Sequence, residues 1–277
     1  MKLFVVATPI GNLQDISPRA KQVLAEVDLI AAEDTRHSAI LLQHLGINTP
    51  LIAYHDHNEQ QASVGLIDKI LAGTSVALIS DAGTPLISDP GYRLVQLAHE
   101  KGVGVIPIPG PSALITALSA SGLATDRFLF IGFLPAKAEA RKRALEEVAQ
   151  QGATLVCYES RHRITASLET MVAVLGAERQ ACIGRELTKK FEQLCFGRLG
   201  DLLEQLRRGD IVAKGEFVVM VEGVAAQAAD YEHVQLMQAL LAELPPRKAA
   251  SVASNLTGVA KKVFYDLSIE LKGEKKD

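Results

Sequence analysis

VALISDAGTPLISDPG, residues 76–91, decides the fold. Its opening run is apolar at every position rather than at alternate ones, so a strand here must be covered on both faces, as in a parallel sheet between layers of helix. It then breaks into a loop carrying Gly83, Pro85, Pro90 and Gly91. The same grammar recurs across the first half of the chain. Strands are expected over Leu3–Ala7, Asp28–Ala32, Leu51–Tyr54, Val76–Ser80 and Val103–Pro107, with helical stretches between them. Ser17 followed by Pro18 opens one helix, Gly46 closes the next, and Asn58 begins a third that Gly73 ends. Residues 1–120 therefore read as a doubly wound α/β domain.

Residues 121–225 read as a second α/β domain. FLFIGF from Phe128, TLVCYE from Thr154 and EFVVMVEG from Glu216 are strands, a charged helix fills Lys137 to Gln151, and QACIGREL with FEQLCFGRL forms a hairpin, so this sheet is expected to be mixed. From 226 to 277 the composition shifts to Ala and Gln and then to LPPRKAASVASNLTGVAKKVFYDLSIEL, two or three short helices around a turn at Gly258, before the charged terminus KGEKKD.

A chain of 277 residues, 48% hydrophobic and 22% charged, is large enough for two such domains and a small appendage. No apolar run reaches bilayer length, and MKLFVVATPIGN breaks at Pro9 and Gly11 without a cleavage pattern, so a cytoplasmic protein is expected. Cys157, Cys182 and Cys195 lack metal-ligand spacing and read as reduced core thiols. A net charge of −3 gives no global attraction for nucleic acid, so RNA contacts must come from local basic groups.

Three loops, Thr8 to Leu13, Ser80 to Gly91 and Ile106 to Thr116, leave the carboxyl ends of expected parallel strands, the edge where open α/β sheets bind ligands. Their chemistry is unusual. A phosphate cradle needs free backbone N–H groups and commonly a Lys, yet these loops hold Pro9, Pro85, Pro90, Pro109 and Pro111 and no Lys or Arg. Gly83, Gly91 and Gly110 permit close backbone approach, and Asp81 and Asp89 add negative charge. Such a lining suits a cationic centre with neutral hydrogen-bonding edges, as in a sulfonium carrying adenosine.

The segments VATPIGNLQDISPRA, AEDTRHSAILL, YHDHNE, VALISDAGTPLISDPGYRLV, PIPGPSALITALSASG, FLPAK, YESRHRI and RELTKKFE resemble the tetrapyrrole-methylase-like superfamily. Within it they are similar to the bacterial small-subunit ribosomal RNA cytidine-2′-O-methyltransferase family, over most of residues 1–225. The resemblance implies a cleft between two α/β domains that binds S-adenosyl-L-methionine, a homodimer, no metal and a ribosomal RNA or small-subunit substrate. It places cofactor contacts on Pro9, on Asp81, Gly83 and Thr84, on Ser112, Ala113 and Thr116, and on Tyr158, Leu187 and Phe217. The tail departs from the small-molecule members and brings Arg247, Lys248, Lys261 and Lys262 as RNA-contacting cations.

Methyl transfer from a sulfonium is a direct displacement, which needs an aligned acceptor and a base for a ribose hydroxyl. AEDTRH offers Glu33, Asp34, Arg36 and His37, and YHDHNE offers His55, Asp56, His57 and Glu59. Asp34, His37 and Glu59 are the base candidates, with Arg36, His55 and His57 toward RNA. Asp34 fits equally a cap on the helix starting near Thr35. His55 and His57 without further ligands do not make a metal site. RELTKKFE, with Arg185, Lys189 and Lys190, is either a charged hairpin connection or the far wall of an RNA cleft, and the resemblance favours the wall. Arg161 and Arg163 stand near Tyr158, placed for phosphates, whereas Arg141, Lys142 and Arg143 read as a solvated helix face. The tail serves either as a helix-turn-helix-like RNA clamp or as a docking element in the dimer.

Two other readings compete. A methylase of tetrapyrroles would use the same loops, but 5% aromatic residues and no Trp line a macrocycle site poorly. A non-catalytic RNA-binding assembly factor would have no need of the Asp81–Gly83–Pro85 loop.

Overall fold

The computed structural model describes residues 2–224 and 226–273; the end of the charged terminus KGEKKD lies outside the described residues. Five strands, β1 (Lys2–Val6), β2 (Leu29–Ala32), β3 (Leu51–Ala53), β4 (Val76–Ile79) and β5 (Gly104–Ile108), form one parallel sheet in the order β3-β2-β4-β1-β5. The continuous apolar runs have the expected cause. Val6, Ile30, Ala32, Ala77 and Ile79 pack on Ala20 and Leu24 of α1 (Pro18–Glu26) and on Leu41, Leu42 and Leu45 of α2 (Thr35–Leu45). Their neighbours Leu3, Ala31, Val76 and Leu78 turn the other way, onto Leu66, Ile67 and Ile70 of α3 (Glu59–Leu71) and Leu94 and Ala98 of α4 (Tyr92–Glu100). Successive side chains thus serve opposite cores, each sheltered by a helical layer.

The helix ends follow local chemistry. Ser17 Oγ accepts the Ala20 N–H at 3.0 Å with Pro18 as the first helical residue, and Gly46 closes α2 at φ 71°. Asn58 does precede α3, but its side chain turns backward, accepting the His55 N–H at 2.9 Å and donating to the Ala53 carbonyl at 3.0 Å. It pins the YHDHNE loop rather than capping a helix.

The third loop runs into α5 (Ala113–Ala120), whose Leu114, Ala117 and Leu118 pack against Val156, Cys182, Val218 and Met220 of a second sheet. That sheet comprises β6 (Phe128–Phe133), β7 (Thr154–Ser160), β8 (Gln180–Arg185), β9 (Gln193–Arg198) and β10 (Glu216–Val221) in the order β6-β7-β10-β8-β9. Only β6 and β7 pair in parallel, so the sheet is mixed, and the chain carries two α/β domains. Between its strands run α6 (Ala138–Val148), α7 (Ile164–Leu175) and α8 (Leu199–Arg208). One residue of the charged helix departs from the solvated face expected for it. Arg141 is only 5% exposed, and its guanidinium donates to Thr170 Oγ1 at 3.0 Å and the Ala136 carbonyl at 3.3 Å. Burial pushes the Cys157 thiol up to about 12 and that of Cys182 to about 11, so both are inert neutral thiols in the core, whereas Cys195, on the outer strand β9, is only partly buried and not a core residue.

Both sheets belong to one compact unit, and residues 147–153 with the chain from 223 onward form another. The latter holds α9 (Ala226–Glu243), α10 (Pro246–Thr257) and α11 (Lys261–Gly273) around Met237, Ala249, Ala250, Ala253 and Phe264, with Gly258 at φ 73° making the turn between α10 and α11. Arg247 and Lys248 are exposed in the first turn of α10, and Lys261 and Lys262 are exposed in that of α11. Among the described residues no helix is long and apolar enough to cross a membrane.

Candidate active site

The three proline- and glycine-rich loops leave β4, β1 and β5, which are adjacent in the sheet. They are bonded to one another. Thr8 and Gly83 exchange backbone hydrogen bonds, Thr8 N–H to Gly83 O at 2.8 Å and Gly83 N–H to Thr8 O at 3.0 Å. Thr8 Oγ1 donates to Ser80 O at 3.2 Å, and Thr84 Oγ1 donates to Pro111 O at 3.0 Å. Glycine is required where the strands crowd: Gly83 sits at φ +87°, and a Cβ on Gly110 would stand 3.0 Å from that of Ala7.

These loops floor a cleft of about 620 Å³ whose opposite wall is the second sheet. Asp81, Gly83, Thr84, Ser112 and Ala113 face Tyr158, Gly184, Leu187, Phe217 and Val218 across it. Tyr158 Oη accepts the Leu114 N–H at 3.1 Å, at the start of α5. The two walls meet where the aliphatic stem of Lys189 lies over Gly11, occupying the space a Cβ would need, while its ammonium pairs with Glu186 and Glu216, each at 2.8 Å. The described non-glycine residues with left-handed backbone are Leu86, Ser88, Glu186 and Thr188, all in the loops of these two walls. Each costs about 1–2 kcal/mol, and strain of this kind gathers where a site needs it.

The cleft is acidic on its first-domain side. Glu33, Asp81 and Asp89 line it, Asp81 accepting the Asp34 N–H at 3.0 Å. Burial, then the nearby Asp89 and Asp81, raise the Glu33 carboxyl to about 7, and burial raises Asp89 to about 6.

Of the cofactor positions taken from the resemblance, Asp81, Gly83, Thr84, Ser112, Ala113, Tyr158, Leu187 and Phe217 come together on this cleft. Pro9 and Thr116 do not line it: Pro9 is buried within the first loop, and Thr116 lies one turn inside α5. The base candidates fare differently. Asp34 caps α2, accepting the Arg36 N–H at 2.9 Å and pairing with its guanidinium at 2.7 Å, which holds its carboxyl well below the usual range. Glu59 accepts from Tyr54 Oη and the Gly91 N–H, both at 3.1 Å, and pairs with Arg93. Neither faces the cleft, nor does His37, which is exposed on α2.

The cations sort in the same way. Arg161 and Lys189 line the cleft. Arg163 instead pairs with the buried Glu159 at 3.0 Å and donates to Leu134 O, and Arg185, 7% exposed, donates to Lys214 O, Phe191 O and Gln193 Oε1. Both are internal braces rather than free phosphate ligands. Arg36, His55, His57 and Lys190 lie away from the cleft, Arg36 bound to Asp34 and the two imidazoles edge to face at 5.9 Å. Sequence reasoning passed over Glu33 as the base and missed Phe133, both on the cleft wall. Asp34 was readable as the cap of the helix starting near Thr35, and it is that cap; Glu33 beside it carried no local signal of where it would point. Among the described residues no group of three His, Cys, Asp or Glu side chains is arranged to hold a metal ion.

A parallel sheet whose carboxyl-edge loops face a second, mixed sheet across one cleft defines a class of two-domain α/β proteins, and the family match identifies it as one of methylases. Residues 2–203 match the Tetrapyrrole (Corrin/Porphyrin) Methylases, and residues 226–272 match the RsmI C-terminal HTH domain. A crystal structure of uroporphyrin-III-C-methyltransferase from Thermus thermophilus superposes with a TM-score of 0.56 at 18% identity, covering 83% of this chain and 97% of that one. Another of the Thermus thermophilus enzyme, complexed with S-adenyl homocysteine, gives 0.56 at 17% identity, covering 80% and 97%. Within that class the chain belongs to the ribosomal RNA small subunit methyltransferase I family. It is 50% identical over 274 residues to the Escherichia coli O157:H7 member, spanning 98% of this chain and 96% of that one, and 50% identical over 271 residues to the Haemophilus influenzae member, spanning 96% of each.

Proposed function

We propose that this chain transfers the methyl group of S-adenosyl-L-methionine to the ribose 2′-hydroxyl of a cytidine in small-subunit ribosomal RNA. The observation that carries the reading is the cleft itself: carboxylates Glu33, Asp81 and Asp89 on one wall, no Lys or Arg in the three loops beneath, and room for a nucleoside. Burial and neighbouring acids raise the Glu33 and Asp89 carboxyls toward neutrality, so a cation among these groups is favoured and a phosphate repelled. The donor set therefore fits a sulfonium with adenosine. The names borne by the 50% identical relatives support the RNA acceptor, and the matched C-terminal domain, with four exposed cations at two helix starts, supports a hold on its backbone.

Asp81, Gly83 and Thr84 with Ser112, Ala113, Tyr158, Leu187 and Phe217 would hold the cofactor. When bound, it supplies an electrophilic methyl group on a positively charged sulfur. The chain's own work is alignment, exclusion of water and removal of one proton. Glu33 is the carboxylate for that proton: it faces the cleft, its ordinary affinity for protons is raised toward neutral pH, and it is not committed to a cap or an ion pair as Asp34 and Glu59 are. Arg161 at the rim and Lys261 with Lys262 on α11 take phosphates. We assign the working protein to the cytoplasm as a homodimer, following the family resemblance.

The test is methyl transfer from labelled S-adenosyl-L-methionine to small ribosomal subunits, with nucleosides of the product resolved by mass. 2′-O-methylcytidine is expected. Transfer to a uroporphyrin-type macrocycle in place of RNA would establish the small-molecule reading instead.

A further inference from the structure

Phe133 is an aromatic ring left half in solvent, 52% exposed, at the open rim of the cleft, where Ala82, Ile87, Ser88, Arg161 and His162 are exposed as well. The backbone delivers it there. The pairing of β6 with β7 slips between Phe130 and Phe133, and Gly132 adopts φ +64°, so the last residue of the strand is re-aimed by a bulge. The ring is then held by two neighbours, one of them a cation over one of its faces. Tyr158 meets it edge to face at 5.7 Å and 63°, and the Arg163 guanidinium lies 5.8 Å from its centroid. Arg163 is itself fixed by Glu159, Ser160 and the Leu134 carbonyl, so the brace does not swing. With Arg163 over one face, the solvent-exposed remainder of the ring is what Phe133 presents to the cleft. Beside it Arg161 and His162, both exposed and joined by a 3.0 Å hydrogen bond, line the same rim.

We propose that Phe133 is the stacking platform for the base of the acceptor nucleotide, with Arg161 holding an adjacent phosphate. The proposal rests on the RNA-methylating reading above and adds the group that positions the acceptor. The depth of the cleft divides its occupants. Leu187 and Phe217, 8% and 2% exposed, form the buried part of the second-sheet wall, where a small cofactor is enveloped, whereas a polymer can enter only at the exposed rim, where Phe133 and Arg161 stand. A ribose hydroxyl reaches the methyl donor only if its nucleotide is splayed from the strand, and a splayed base needs a surface to replace its lost neighbours. An aromatic face provides that without reading base identity.

The experiment compares the full-length wild type with Phe133→Ala, Phe133→Tyr and Arg161→Ala. Steady-state methylation of small subunits lacking this methyl group gives KM and kcat, and calorimetry gives S-adenosyl-L-methionine affinity. Phe133→Ala is expected to raise the KM for subunits about five- to a hundredfold, the measured range for loss of one base stack. Cofactor affinity stays within twofold, and Phe133→Tyr restores the KM. Arg161→Ala raises the same KM and flattens its salt dependence. Loss of cofactor affinity in Phe133→Ala would assign the ring to the adenosine and overturn the proposal. An unchanged KM, or failure of Tyr to rescue, overturns it as well. A wild type that binds cofactor yet methylates no RNA refutes the underlying reading, a result distinct from a defect confined to the variants.

Discussion

Replacing Glu33 by glutamine should stabilise the protein at alkaline pH while slowing the reaction, because its ionised carboxyl is disfavoured by its surroundings and is the group proposed to take the acceptor's proton. Burial, Asp89 and Asp81 raise it from 4.5 to about 7, and Asp56 adds to the same field. At 1.36 kcal/mol per pKa unit the full linkage is about 3 kcal/mol. Glu33 is only partly buried, so solvent screening reduces this to about 1–2 kcal/mol. The direction follows from proton binding. Between pH 4.5 and 7 the folded state holds a proton that the unfolded chain has released, so the contribution is complete below pH 4.5 and lost as pH rises through 7. Glutamine keeps the shape and removes the titration. Urea unfolding across pH 4 to 8.5 should show the wild type losing about 1–2 kcal/mol relative to Glu33→Gln, with equal midpoints at the acid end. Methyl transfer in the variant should fall by about 10²–10⁴, the range for loss of a general base. The wild-type rate should rise with pH up to about 7 and then level. Equal stability across the range together with a wild-type kcat would refute the role given to this carboxyl.

Arg185→Leu should unfold at lower urea, with about 3 kcal/mol lost, because the Lys214, Phe191 and Gln193 oxygens lose a buried donor; a purely RNA-contacting arginine would leave stability unmoved. Gly83→Val places a β-branched residue at φ +87° in the Thr8 bridge, so calorimetric affinity for S-adenosyl-L-methionine should be abolished, and wild-type affinity would remove the loop from the site. The pair Lys261→Glu and Lys262→Glu should weaken RNA binding and reduce its salt dependence while leaving cofactor affinity alone, as read by filter binding at several salt concentrations.

Most of the first domain was legible because its signals are local. Ser17 and Pro18 cap a helix wherever they stand, Gly46 ends one, and an unbroken apolar run such as VALI can be stable only between two cores. The hairpin of QACIGREL with FEQLCFGRL was equally readable, since its strands lie close in sequence. The charged groups were less so. Arg141, Arg163 and Arg185 carry the same side chain as Arg161, and whether each is a brace or a surface cation depends on carbonyls and carboxylates brought from distant segments.

By itself, then, the sequence determined a parallel sheet, proline- and glycine-rich loops at its carboxyl edge that carry aspartates and no Lys or Arg, and a helical tail. Only the tertiary structure decided which loops are neighbours. The order β3-β2-β4-β1-β5 sets the ends of β2 and β4 side by side, bringing Glu33 to Asp81, and leaves YHDHNE at the outer strand. The start of α2 at Thr35 then takes Asp34 as its cap and leaves Glu33 to face the cleft. Pairing between parallel strands is a long-range choice made by packing both faces at once, and no local pattern of residues records it.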